Sequence, residues 1–303
     1  MSHLALLVTF ALSTSFNRGI GDELKALADS KTEPAVIAAR VEKALKDDEL
    51  TTGADFLAAA QFVHVGARRI DQLRVRYELC LTAVCLGEKS AMPLLTSTWD
   101  DLMNSTSRPR RIAALPHLDD RTRLVPTAPV IRALWQGKSD AKPVVNPRIK
   151  VLFDDDQGAR QIDFSKLSEE ERSKAILKMV KGDAARLAEA RQILRKGAVS
   201  TGEDFEYMAF LFQHASTFED YASAHELAVC AVLRGKKSAS WIAGASYDRM
   251  MLSASYPQRF GTQFMMSGSK YIFDTIDTSM TNDRQRKAVI RKTLDEAKRV
   301  FDQ

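Results

Sequence analysis

The sequence predicts a mainly α fold, two tandem copies of a four-helix repeat unit with one or two small β-hairpins, and three observations carry that reading. Apolar and small residues recur at helical spacing through most of the chain. Two stretches, Thr51 to Arg111 and Ser200 to Phe264, repeat one order of caps, helices and glycines. Strand-like segments bounded by turn residues are few and short.

The N-terminal segment, residues 1–30, opens with the apolar run Leu4 to Leu12, followed by Ser13, Thr14 and Ser15. No Lys or Arg precedes the run, as one normally does in an export signal. It is also too short to span a bilayer. A first buried helix and a cytoplasmic protein are therefore favoured, with export as the alternative.

The first copy, residues 31–105, begins with a helix over Glu33 to Lys46, whose Val36, Ala39, Val41, Ala44 and Leu45 form an apolar stripe. Thr52 with Asp55 three residues on signals the next helix start. Helices follow over Phe56 to Val63, Ile70 to Leu86 and Ser90 to Met103, with Gly87 as a C-terminal cap. Residues 106–147 read as a linker: five of the nine prolines fall between Pro116 and Pro147, alongside several arginines. Residues 148–166 then read as a β-hairpin, RIKVLF and ARQIDF joined by an Asp-rich turn.

The complete copy, residues 167–303, repeats the plan. Helices are predicted over Ala184 to Arg195, Phe205 to Phe212, Asp220 to Leu233 and Ser238 to Met251, with Ser200 and Glu203 as cap and Gly235 closing the third. At a constant shift of 148 identical residues recur, among them Glu78/Glu226, Gly87/Gly235, Lys89/Lys237 and Asp100/Asp248. Upstream the shift is 149, as Thr52/Thr201 and Asp55/Asp204 show, so one residue was gained or lost between helices two and three. A second hairpin is predicted over Gln263 to Phe273 and a closing helix over Asn282 to Phe301.

The two copies differ most in their polar groups. The second holds His214, His225, Asp248, Arg249, Gln258, Gly261, Thr262 and Gln263. In the first, Tyr77 stands for His225, Asp101 for Arg249, Arg110 for Gln258, and Ala113, Ala114 and Leu115 for the Gly-Thr-Gln run; His64 is the nearest counterpart of His214. A packing requirement falls on both copies, whereas a site is needed once. His214, His225 and Asp248 are therefore candidates for acid–base catalysis. Arg249, with its bidentate fork, and Gln258, Gly261, Thr262 and Gln263 are candidates for holding a ligand. The bland reading stays beside the sharp one: His225 on an apolar face also suits a core histidine, and Asp248-Arg249 an interhelical pair.

Other classes are restricted. The chain of 303 residues carries 44 Lys+Arg against 39 Asp+Glu, a net +5 with the signs interspersed, so no nucleic-acid partner is expected. No phosphate loop, nucleophile elbow or dinucleotide fingerprint occurs, and no cofactor is expected. Cys80, Cys85 and Cys230 lack ligand spacing and pack as small hydrophobes. A metal held by His214, His225 and Asp248 is a third reading, without the i, i+4 spacing of a metal-binding helix.

The segment from Gln213-His214 through Asp248-Arg249 to Pro257-Gln258-Arg259-Phe260-Gly261-Thr262-Gln263-Phe264 resembles a bacterial domain family of unknown function, over about residues 184–303. The resemblance implies no activity. More loosely, Asp220-Tyr221, Ala224, Glu226-Leu227-Ala228, Gly235 and Ala239 look like tetratricopeptide-type helical repeats, which implies binding of peptides or proteins. The expected function is an interaction or ligand-binding protein with one polar pocket in the second copy, its partner a peptide, a protein or a small anionic ligand. A hydrolase-like or acid–base enzyme is the alternative.

Overall fold

The computed structural model describes residues 19–63, 69–108, 111–112, 128–138, 142–267 and 270–299. The expectations attached to Leu4 to Leu12, His64, Arg110 and Ala113 to Leu115 lie outside them. Among the described residues there are thirteen α-helices and one two-stranded antiparallel sheet, so the chain is mainly α. No described helix is long and apolar enough to cross a membrane.

After α1 (Ile20–Asp29), α2 (Pro34–Lys46) starts on a proline that suits the first turn and buries Ile37, Val41, Ala44 and Leu45. α3 (Gly53–Phe62) begins at a reciprocal cap: the Asp55 amide donates to Thr52 Oγ1, and the Thr52 amide donates back to the Asp55 carboxylate. α4 (Arg69–Cys85), buried almost all round, leads through the 3-10 turn Lys89–Ala91 into α5 (Met92–Ser105).

Two expectations fail in the middle of the chain. The linker contains α6 (Pro129–Trp135), whose Ile131 and Trp135 are buried and whose indole Nε1 donates to Glu226 O. The hairpin expected over 148–166 is instead α7 (Pro147–Gly158) followed by the 3-10 turn Phe164–Lys166. The alternation of Ile149, Val151 and Phe153 suggests a strand, but Asn146 accepts from the Arg148 amide as an N-cap and Pro147 occupies the first turn. Ile149, Leu152 and Asp156 then share the buried face at spacings of three and four.

The second half returns the pattern. α8 (Glu169–Arg195) opens on a Ser168–Glu171 capping box, and only its last turns match the helix expected from Ala184. α9 (Gly202–Gln213), α10 (Phe218–Leu233), the 3-10 turn Lys237–Ala239 and α11 (Ser240–Ser253) follow. Then come β1 (Phe264–Ser267) and β2 (Lys270–Phe273), paired Phe264 to Phe273 with those rings stacked at 4.4 Å. The expected closing helix is two, α12 (Asp283–Ile290) and α13 (Leu294–Arg299), because Arg291 turns left-handed at φ +61°.

At the centre α4 lies between α3 and α5, α10 lies between α9 and α11, and α4 touches α10. Backbone conformations match at the 148 shift. Gly87 and Gly235 have φ +98° and +87°, and even the non-glycine pair Ser107 and Ser255 is left-handed in both halves, at +59° and +65°.

Candidate functional site

Most of the polar residues expected to form a pocket are brought together, but they bind one another. Asp248 Oδ1 accepts the amides of Arg259 and Phe260 at 2.9 and 3.1 Å, and Oδ2 accepts the Thr262 amide and hydroxyl. Gln258, fully buried, accepts the amides of Thr262 and Gln263 on Oε1 and donates Nε2 to the carbonyls of Gln263 and Asp274. Arg249 donates Nε to Gln263 Oε1 and Nη1 to Gln213 O. Gly261, at φ +82°, sets its backbone against the protein itself: a Cβ there would stand 3.0 Å from Leu294. The loop after α11 is thus a knot tied by Asp248 and Gln258, and its donors and acceptors are spent on the fold. Burial pushes the Asp248 carboxyl up, against the amides of Arg259 and Phe260, which favour its charged form.

His225 lies elsewhere. It is sealed among Tyr77, Trp99 and Tyr247, with ring centroids 5.6, 5.0 and 5.7 Å away. Its Nδ1–H donates to Ala243 O at 2.8 Å, so Nε2 accepts from the Tyr77 hydroxyl. Both nitrogens are engaged and the side chain has no exposed surface. Burial pushes the imidazole down to about 4.

That depression makes a pH prediction. The unfolded imidazole titrates near ~6.5, so His225 is neutral in both states above that value and favours the unfolded chain as pH falls through the window down to about 4. Folding stability should fall by about 3 kcal/mol on acidification across that window. Urea unfolding of the wild type and His225→Phe at several pH values checks it. The substitution should flatten the slope, and an unchanged slope would assign the effect to other groups.

His214 caps α9 and forms a different cluster, donating Nδ1 to the Asp156 carboxylate at 3.0 Å. Arg160 Nη1 lies 2.9 Å from the same carboxylate. Burial raises Asp156, but the hydrogen bond from His214 and the charge of Arg160 outweigh that and hold it below the usual carboxylate range. His214, His225 and Asp248 therefore sit in three separate environments, and the metal reading loses its ligand set. Among the described residues no group of three or more His, Cys, Asp or Glu is placed to hold a metal.

An asymmetry does exist, at residues outside the expected set. Arg111 and Arg259 stand at the same shift of 148, a signal sufficient to find them. Each reaches across to the other half's glutamate. Arg111, from the chain after α5, donates Nε and Nη2 to Glu226 Oε1 and Oε2 at 2.5 and 2.9 Å, and Nη2 also to Ser223 Oγ at 3.0 Å. Trp99 Nε1 adds a fourth hydrogen bond to that group, on Glu226. In reciprocal fashion Tyr247, the counterpart of Trp99, donates to Glu78 at 2.9 Å.

Arg259 is not so well placed. Its Nε is 3.6 Å from Glu78 Oε1, and its Nη1, 2.9 Å from Asp277 Oδ2, lies outside hydrogen-bond geometry. Both nitrogens are buried without a hydrogen bond. Val75 stands where the other half has Ser223, so the hydroxyl that completes the Arg111 site is missing here.

Arg259 forms the floor of a cleft of about 410 Å³ between α2, α4 and the turn 277–280. Val41, Val63 and Val75 give it apolar walls, while Glu42, Asp71 and Asp277 set carboxylates around it. The volume falls in the range of small-molecule sites, roughly 300–1,000 Å³. A second hollow of about 340 Å³ beside Pro34 and Gln61 contains a single charged side chain, Arg76, whose Nη2 already donates to Val63 O.

No protein-family model, curated protein or solved structure matches the chain.

Proposed function

We propose that this chain is a ligand-binding protein built from two copies of a four-helix unit, and that its site is the cleft over Arg259. One observation carries the reading. The same arginine, in the same register of the two halves, donates three hydrogen bonds at Arg111 and none from Nε or Nη1 at Arg259, whose buried guanidinium is held by the charges of Glu78 and Asp277 where a cleft of about 410 Å³ opens. Buried guanidinium donors without a hydrogen bond are costly, and a polar group able to enter the cleft would lower that cost. The duplication is supported by the reciprocal contacts: position i of one half meets position j of the other and the converse, the pattern of an isologous interface folded into one chain.

The test is a thermal-shift screen of small polar metabolites on the wild type and on Ala38→Trp. Ala38 lines the cleft from α2, and an indole there fills it. Compounds that raise the wild-type melting temperature by several degrees should lose that effect in Ala38→Trp. The melting temperature of Ala38→Trp without ligand checks that it folds. Equal responses of the two proteins to every compound would remove the cleft as the site.

A further inference from the structure

One helix of the second half is longer than packing requires. α8 has 27 residues where α2 has 13, and at the upstream shift of 149 the two end together, Lys46 on Arg195. Buried residues correspond in the shared part, Val41 with Ala190 and Leu45 with Leu194. What α8 adds is its first fourteen residues, Glu169 to Gly182, and none of these is buried.

The extension leaves an apolar side in water. Ile176, Leu177 and Val180 are 46%, 54% and 54% exposed. At 3.6 residues per turn they fall, with Ser173, in one sector of about 100°. Glu170 and Lys181, eleven residues apart and both exposed, lie along one edge of that sector, within about 20° of a common line. Within its own helix Glu170 already holds Lys174 at 2.5 Å.

This surface is complementary to itself. A second copy run antiparallel about a two-fold axis sets like edge against like edge, so that a contact of residue i with residue j is made twice. With the axis between Ala175 and Ile176, Glu170 of each copy stands beside Lys181 of the other. In the same register the second copy's Val180, Leu177 and Ile176 fall at the levels of Glu171, Lys174 and Ala175. They enter the gaps on either side of Ser173, as ridges of one helix enter grooves of another.

We infer that residues 169–182 are a self-association surface: two copies of this chain pair through antiparallel α8 helices, with Ile176, Leu177 and Val180 packed across the axis and a Glu170–Lys181 ion pair at each end of the seam. The contact spans about 20 Å, small beside permanent interfaces of roughly 2,000 Å² or more, so the dimer forms in the micromolar range.

Analytical ultracentrifugation of the full chain from about 1 to about 200 µM tests it. The mean mass should rise from the 33.7 kDa of the monomer toward twice that value. Ile176→Glu with Val180→Glu should weaken association about tenfold or more and still melt as the wild type does at about 1 µM, where both are monomers. Glu170→Lys and Lys181→Glu, each alone, should also weaken it about tenfold or more, since each sets like charges together twice. An equal mixture of these two variants should recover dimer to within about threefold of the wild type, because both contacts of the mixed pair again join opposite charges.

A chain still monomeric at about 200 µM overturns the inference and leaves the surface to a different protein. A dimer indifferent to Ile176→Glu with Val180→Glu overturns it by placing the contact elsewhere. Charge reversals without effect alone, or not rescued by mixing, overturn it by removing the antiparallel register.

Discussion

Asp248→Ala is expected to destabilise the chain by about 4 kcal/mol, more than any other single change in the loop after α11. The carboxylate accepts three backbone amides, those of Arg259, Phe260 and Thr262, and the Thr262 hydroxyl. It has no exposed surface, so water does not replace it without opening the fold. Each buried donor left without a partner costs roughly 1–3 kcal/mol, and relaxation of the loop recovers part of the sum. The first-half counterpart, Asp100, likewise accepts two successive amides, those of Arg111 and Ile112, on one oxygen. Urea denaturation gives the totals. Amide hydrogen exchange gives the location: protection at Arg259, Phe260 and Thr262 should drop in Asp248→Ala while that of α10 falls only by the global amount. A loss under about 1 kcal/mol, or uniform loss of protection, would mean that the loop is held by Gln258 and by packing instead.

The helices and their order were legible because each start carries its own chemistry. Thr52 with Asp55 forms its capping box as the sequence suggests, in the second half the box is Thr201 with Asp204, one residue beyond the expected Ser200 and Glu203, and Gly87 and Gly235 take the left-handed turns expected of them. α7 was not legible, since Ile149, Val151 and Phe153 alternate like a strand and only the cap at Asn146-Pro147 speaks for a helix. The break at Arg291 carries no glycine or proline to announce it.

The candidate site was harder, for a reason that lies in how the two halves of the chain meet. Differences between the halves were expected to mark a functional residue, since packing would act equally on both. That logic fails where the halves meet, because there a position can contact its own counterpart. Tyr77 and His225 hold equivalent positions and hydrogen-bond to each other, a donor hydroxyl on an acceptor nitrogen.

Glu226→Ala is expected to cost about 3–5 kcal/mol, the range for breaking one side of a buried ion pair. Glu226 is fully buried and receives both Nε and Nη2 of Arg111 with the Trp99 indole. Removing it strands a guanidinium that is 7% exposed and keeps, among the described residues, its hydrogen bond to Ser223. The pair Arg108 and Glu219 nearby, 3.8 Å apart and about a third exposed on each side, provides the control, since Glu219→Ala should cost under about 1 kcal/mol. The double variant Arg111→Met with Glu226→Leu separates two explanations. If the loss in Glu226→Ala comes from the uncompensated cation, the double variant should recover most of it, because an apolar pair of similar volume carries no buried charge. If the loss comes from the indole hydrogen bond and the cavity, the double variant should remain as unstable as the single one. Chemical denaturation of the three variants decides between them, and a single variant within about 1 kcal/mol of wild type would show that the two halves are joined by their aromatic contacts and not by the crossed arginines.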